Sequence, residues 1–188
     1  MEIAFRKMFW GLIIATFSIN FGIITIFPTF VGWIIVLSGL SGLIDEFSDK
    51  QFFTASCSVI ALILLSLVEG VLSFSQDPSW LTGTAFLFYP VMMSIIELTA
   101  FHKIIEASAD RFKVHNQVSN SFKFNRKDRL YLVLMGLSMI LLTAALVVND
   151  ETLLFFGLIS TLIPRVYILG VLSGLSKEKI DVKLEEAT

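Results

Sequence analysis

Three ionisable side chains lie inside long apolar runs: Glu69 in LILLSLVEGVLS, Glu97 in VMMSIIELTAF and Arg165 in LISTLIPRVYILG. Inserting such a group into a bilayer costs about 2.5–3.5 kcal/mol, so it turns toward a bundle interior and takes a partner. Ser66, Glu69 and Ser73 recur at helical spacing and form one polar stripe. Arg165 directly follows Pro164, and a proline cannot donate to the carbonyl four residues back, that of Ser160. An open carbonyl, an arginine and a carboxylate together suit a buried site for a small ligand or ion. Arg165, Glu69, Glu97 and Ser66 are therefore the candidate ligand-binding residues. The same residues also suit an interhelical ion pair that locks a bundle, and the sequence leaves both uses open, as it leaves open which glutamate Arg165 pairs with.

Other chemistries find less material. One cysteine, two histidines and no clustered carboxylates make a metal, haem or iron–sulfur site improbable, and no cofactor is expected. No phosphate-cradling glycine loop occurs. GLSG at Gly39 to Gly42 matches the GxSG pattern of rhomboid intramembrane proteases, but the only histidines are His102 and His115. Those enzymes pair the serine with a histidine on another helix, whereas these two lie at or beyond the cytoplasmic end of the fourth span, and the match is four residues of very common types.

The elements that must position these residues are apolar helices. Mean hydropathy is +0.81, concentrated in uncharged runs with short polar connectors, as in membrane helices. Phe9 to Ile44 carries no charged side chain. As one helix it would measure about 54 Å, against about 30 Å for a hydrocarbon core. It must fold back, and Ser18, Asn20, Gly22 and Pro28 supply the break. Six spans result, at about residues 5–21, 28–44, 52–74, 81–102, 130–148 and 153–174, with a basic connector at 103–129. Cations decide the orientation. Arg6, Lys7, Lys50, the connector and the tail (Lys177, Lys179, Lys183) all fall on one side, and the opposite connectors hold only Asp77, Asp150 and Glu151. The expectation is one all-α integral membrane domain covering 1–188, with six transmembrane helices and both termini cytoplasmic, in the cell membrane.

Pro28, Pro90 and Pro164 each mark an even-numbered span, and VLSGLS occurs at Val36–Ser41 and again at Val171–Ser176. This echo suggests three related hairpins. Small-xxx-small spacings (Ser38 with Gly42, Gly170 with Gly174, and Gly39 beside them) predict close helix packing or a dimer face. The connector sets seven cations against Glu106, Asp110 and Asp128. Its HKIIEASADRF portion is expected to prolong the fourth helix. Its SFKFNRKDR portion suits the anionic inner leaflet, so anionic lipid joins the bilayer itself as an expected partner. The basic surface is too small for nucleic acid.

FPTFVGWII at Phe27 to Ile35 resembles a hydrophobic–Pro–x–Phe–[Ile/Val]–Gly–aromatic–Ile element of small uncharacterised multi-pass membrane proteins from Gram-positive bacteria. Thr29 stands where those often carry Asp. That resemblance covers about the first 45 residues and implies no assigned activity. In architecture the chain is similar to the substrate-binding S-components of energy-coupling-factor transporters, without their alanine-rich coupling face. Compactness, six spans, Arg165 near the midplane and the lack of a sizeable soluble domain point to a small-solute-binding, permease-associated or immunity-type transport component. With no ATP-binding motif, energised transport needs an ion gradient or a partner such as a transport ATPase; a homo-oligomer is the other expected association. A structural partner in a membrane complex is the alternative, and an intramembrane enzyme a second one.

Overall fold

The computed structural model describes residues 1–17, 20–21, 24–25, 28–73, 88–148 and 150–178. Six long helices stand among them: α1 (Glu2–Thr16), α2 (Thr29–Phe47), α3 (Lys50–Ser73), α4 (Tyr89–Val114), α5 (Val118–Val148) and α6 (Glu151–Lys177). Between α1 and α2, a two-residue antiparallel ladder pairs Asn20 with Thr25 and Phe21 with Ile24. The start of the fourth expected span (81–87), the gap 74–80 and the tail lysines Lys179 and Lys183 lie outside the described residues.

Local chemistry sets the breaks. Pro28 precedes the first turn of α2, and Pro90 occupies the first turn of α4, where a missing N–H costs nothing. Ser48, at φ 49°, ends α2 in the left-handed region with its N–H on the Ile44 carbonyl at 2.7 Å. Asp49 Oδ1 then accepts the Gln51 N–H at 2.9 Å, so α3 starts two residues later. Asn116, at φ 58°, turns the chain between α4 and α5. Asp150 caps α6 by accepting the Leu153 N–H at 2.9 Å.

Each helix packs on its neighbour in sequence, and α6 returns to α1, closing a ring. Directions alternate. The Met1 ammonium meets Glu46, Asp49 meets Arg111, and Lys123 meets Glu178, so the starts of α1, α3 and α5 share one end with the finishes of α2, α4 and α6. Helix α2 packs on α3 and α4 on α5 as well as α1 on α2, α3 on α4 and α5 on α6. One apolar core fills the ring, with Phe5, Met8, Trp33, Phe52, Phe101, Ile104, Tyr131 and Leu172 all fully buried.

The outward surface is apolar too: Leu64, Ile140 and Phe155 are each at least 60% exposed. Four helices (α2, α3, α5 and α6) are long and apolar enough to cross a bilayer. A coat of large apolar side chains around such helices is compatible with insertion in a membrane. The stretch 103–129 is helical except at 115–117. At 31 residues α5 runs about 46 Å, so this segment is a two-helix projection and not an open loop. The two phenylalanines of its SFKFNRKDR portion part company. Phe122 is 74% exposed, whereas Phe124 is buried and stacked on Phe112 at 5.4 Å.

The closest helix approach is α1 on α2. Ala4, Met8, Gly11 and Ala15 form one face, opposed by Gly32, Val36 and Gly39. A Cβ on Gly11 would stand 2.7 Å from the Gly32 carbonyl oxygen, and one on Gly39 2.6 Å from that of Ala4. A Cβ on Gly32 would collide with the Ala15 backbone nitrogen. The expected spacing of four is thus replaced by one of seven, Gly32 to Gly39. Of the expected packing residues only Gly39 makes a close backbone contact; Ser38 and Gly42 face outward, a Cβ on Gly170 would meet open space, and one on Gly174 would meet the flexible tip of Lys127. Gly32→Ala should therefore lower stability by about 1–3 kcal/mol, and Gly170→Ala should not lower it. Thermal unfolding of the two variants in detergent tests both.

Candidate functional site

Proline 164 sits buried within α6, and the carbonyl it frees is used. The Ser138 hydroxyl of α5 lies 2.8 Å from the Ser160 oxygen and 2.9 Å from the Leu134 oxygen of its own helix. One hydroxyl proton serves both acceptors, which ties α5 to α6 one turn above Arg165.

Arg165 reaches across to α4. Its Nε donates to both carboxylate oxygens of Glu97 at 3.1 Å, and its Nη2 donates to Oε2 at 2.7 Å. Glu97 is 1% exposed and the Arg165 side chain 22%. Such two-pronged contact is the strongest geometry available to a guanidinium and a carboxylate. Helices α4 and α6 otherwise barely touch, being separated by α5. The pair therefore bridges over a helix that both partners pack against.

Two polar groups of the core are left over. The Trp33 indole N–H and the Tyr131 hydroxyl are fully buried with no hydrogen-bond partner. The Phe101 ring lies between them, 6.3 Å from Trp33 and 6.4 Å from Tyr131. Tyr131 stands in the electrostatic field of Glu97, Arg165 and Asp128. Burying an unpartnered donor costs about 1–3 kcal/mol, so this layer of the core is built against its own stability.

The remaining candidates separate from the pair. Glu69, on the exposed side of α3, accepts from the Tyr89 hydroxyl at 3.2 Å. Ser66 is buried, but its hydroxyl donates to Leu62 of its own helix at 2.6 Å. Glu97, then, is the glutamate that pairs with Arg165. The Ser41 hydroxyl donates to Leu37 at 3.0 Å, and the His102 ring bonds Asp128, so the GLSG serine and that histidine are committed elsewhere.

At the charged end a second network forms. His102 Nδ1 lies 2.9 and 3.0 Å from the two Asp128 oxygens, its Nε2 lies 3.8 Å from Glu106, and Lys103 donates to Glu106 at 2.6 Å. Arg111 donates to the Phe47 carbonyl at 2.9 Å and to Asp49 at 3.1 Å while lying over the Phe47 ring. These contacts fasten the α4–α5 projection to the α2–α3 turn. A concave patch lined by Phe122, Asn125, Arg126, Asp128 and Arg129 also lies at this end, away from Arg165. Among the described residues no cluster suited to a metal ion occurs.

No protein-family model, no curated protein and no solved structure matches this chain. The site's own geometry carries the functional argument.

Sequence reasoning passed over Trp33, Tyr131, His102 and Asp128. A usable signal was present on α5, where Asp128, Tyr131, Met135 and Ser138 recur at spacings of three and four as one buried face. Read as a charge in a connector, Asp128 hid that stripe. With Glu97 buried and held by Arg165, Glu97→Gln or Arg165→Gln should each cost about 3–5 kcal/mol, and the double change Glu97→Leu with Arg165→Met should recover most of it. Denaturation of the three variants in detergent measures this, and equal losses in all three would remove the pair from the account.

Proposed function

We propose that this chain is a six-span membrane protein, both termini cytoplasmic, that binds a small solute at the Glu97–Arg165 pair as part of a transport process. The single observation behind this is the two-pronged pair in the same core as two unpartnered donors, Trp33 Nε1 and the Tyr131 hydroxyl, the latter in the field of the pair. A bundle that needed only a lock has no use for those donors, which a solute carrying acceptor oxygens would satisfy. Arg165 Nη1 offers a third. An ionisable pair deep in an apolar helix bundle is the usual mark of a substrate or ion pathway.

The six-span reading rests on the alternating ring and on charge. Arg6, Lys7, Lys50, Arg111, Lys123, Arg126 and Lys177 lie toward one end. Helices α1 and α4 count as crossings because they stand in the ring antiparallel to helices of sufficient length. Anionic lipid headgroups suit the same end, where Arg126 and Arg129 flank exposed Phe122. With an ion gradient or a partner ATPase left to supply energy, the chain itself contributes binding. A second reading, a structural partner in a membrane complex, is favoured by the tight closure of the pair.

Thermal shift of the purified protein against small carboxylates, amides and phosphates separates the two. Binding predicts a solute that raises the melting temperature of the wild type and leaves Arg165→Gln unmoved; the structural reading predicts none. For topology, Lys123→Cys in a Cys57→Ala background should resist an impermeant thiol reagent in intact cells and react in inverted vesicles. Labelling from outside would reverse the orientation.

A further inference from the structure

The unpartnered Tyr131 hydroxyl stands in the field of two acids that are each held by a base, and its ring meets Phe101, one turn from Glu97, at 6.4 Å. On its charged side, one turn along the same helix face, Asp128 is 7% exposed and bonded to His102. On its inner side Glu97 is bonded to Arg165. His102 is partly exposed and touches a carboxylate at each ring nitrogen, Asp128 at Nδ1 and Glu106 at Nε2. Phenylalanine would fill the Tyr131 position at the same volume without burying an unsatisfied hydroxyl. The hydroxyl is the one thing tyrosine adds there, and it is a group that can accept and donate a proton together.

We propose that His102, Asp128 and Tyr131 form a proton-entry route that delivers a proton to Glu97 and so opens the Glu97–Arg165 pair. The imidazole takes a proton at Nε2 and releases one from Nδ1 to Asp128. The Asp128 acid passes it to the Tyr131 oxygen as the Tyr131 O–H bond breaks toward a Glu97 oxygen. Rotation of the phenol O–H, side-chain motion of the two acids or a single water closes the gaps. Asp128 and Tyr131 end as they began, His102 ends as its Nε2–H tautomer and is reset by a ring flip before the next proton, and Glu97 becomes neutral. A neutral Glu97 holds Arg165 far less firmly and leaves the guanidinium for an incoming acceptor group. The route rests on reading the pair as a site that opens for solute, and adds proton coupling to it.

Charged groups flank the route at both ends. Lys103 and Glu106 of α4 face the His102–Asp128 end, and Tyr167 of α6 lies in the field of Asp128. Arg165 of α6 and, at longer range, Glu69 of α3 act on the inner end. Near the pair, the negative partner that can accept a proton without exposure to solvent is Glu97.

Infrared difference spectroscopy of the reconstituted full chain after a pH jump from neutral to mildly acidic tests the route. The expected result is a protonated-carboxyl band that is absent in Glu97→Gln and rises about 100-fold more slowly in Tyr131→Phe, with Asp128→Asn slowed likewise. Met135→Leu, on the same helix face, should keep the wild-type rate. Tyr131→Phe should melt no lower than wild type, which separates slow transfer from misfolding. An equal rate in Tyr131→Phe, or no Glu97 band in the wild type, overturns the route. A solute shift that survives alongside an unslowed Tyr131→Phe would keep the binding site and remove the relay. A slowed Tyr131→Phe with no solute shift would keep the relay and remove the solute.

Discussion

The Glu97–Arg165 bridge depends on a constraint that shapes the whole bundle: a charge placed in an apolar ring must find its opposite within the ring. Either group alone would be an uncompensated buried charge, and their joint burial is tolerable only because three hydrogen bonds hold them. Satisfying the bridge fixes the height of α6 against α4, and with it the position of Pro164. The freed Ser160 carbonyl then falls opposite Ser138, which aligns α5. The register of three helices thus follows from one pairing, while shape-driven packing sets the other side of the ring. There, α1 and α2 meet through glycines, with the Met1–Glu46 ion pair at their end.

Much of this was legible in the residues, and the physical reasons for the misses are specific. Long uncharged runs announce helices because an apolar helix leaves no backbone group unpaired, and the helices with their proline and Asp150 boundaries follow from that. The freed carbonyl at Ser160 was foreseeable from Pro164 alone; its partner Ser138 was not, since a serine bonded to its own helix looks the same in sequence as one that bonds across. The glycine face of α2 was sought at a spacing of four. Two long helices crossing at a shallow angle repeat their contact nearer every seven residues, which selects Gly32 and Gly39 and passes over Gly42.

The site was partly legible for a different reason. Glu97 and Arg165 stand out against apolar neighbours, so composition finds them. Trp33 and Tyr131 do not, because an aromatic in an apolar run reads as core, and both are core. What makes them relevant is the absence of a partner at one atom each, a property of packing alone. Asp128 was obscured by its neighbours Arg126, Lys127 and Arg129, which point elsewhere while it turns inward.

The closed ring also governs how the chain is assembled. Among the described residues the extensive helix contacts join sequence neighbours, except the one between α6 and α1. Five helices can settle pairwise as they emerge, each against the one just made, at small entropic cost. The face of α1 meant for α6 stays bare until the final helix arrives. Synthesis therefore leaves a temporary seam, and Arg165, carried on the last helix, enters the bundle together with the segment that seals it.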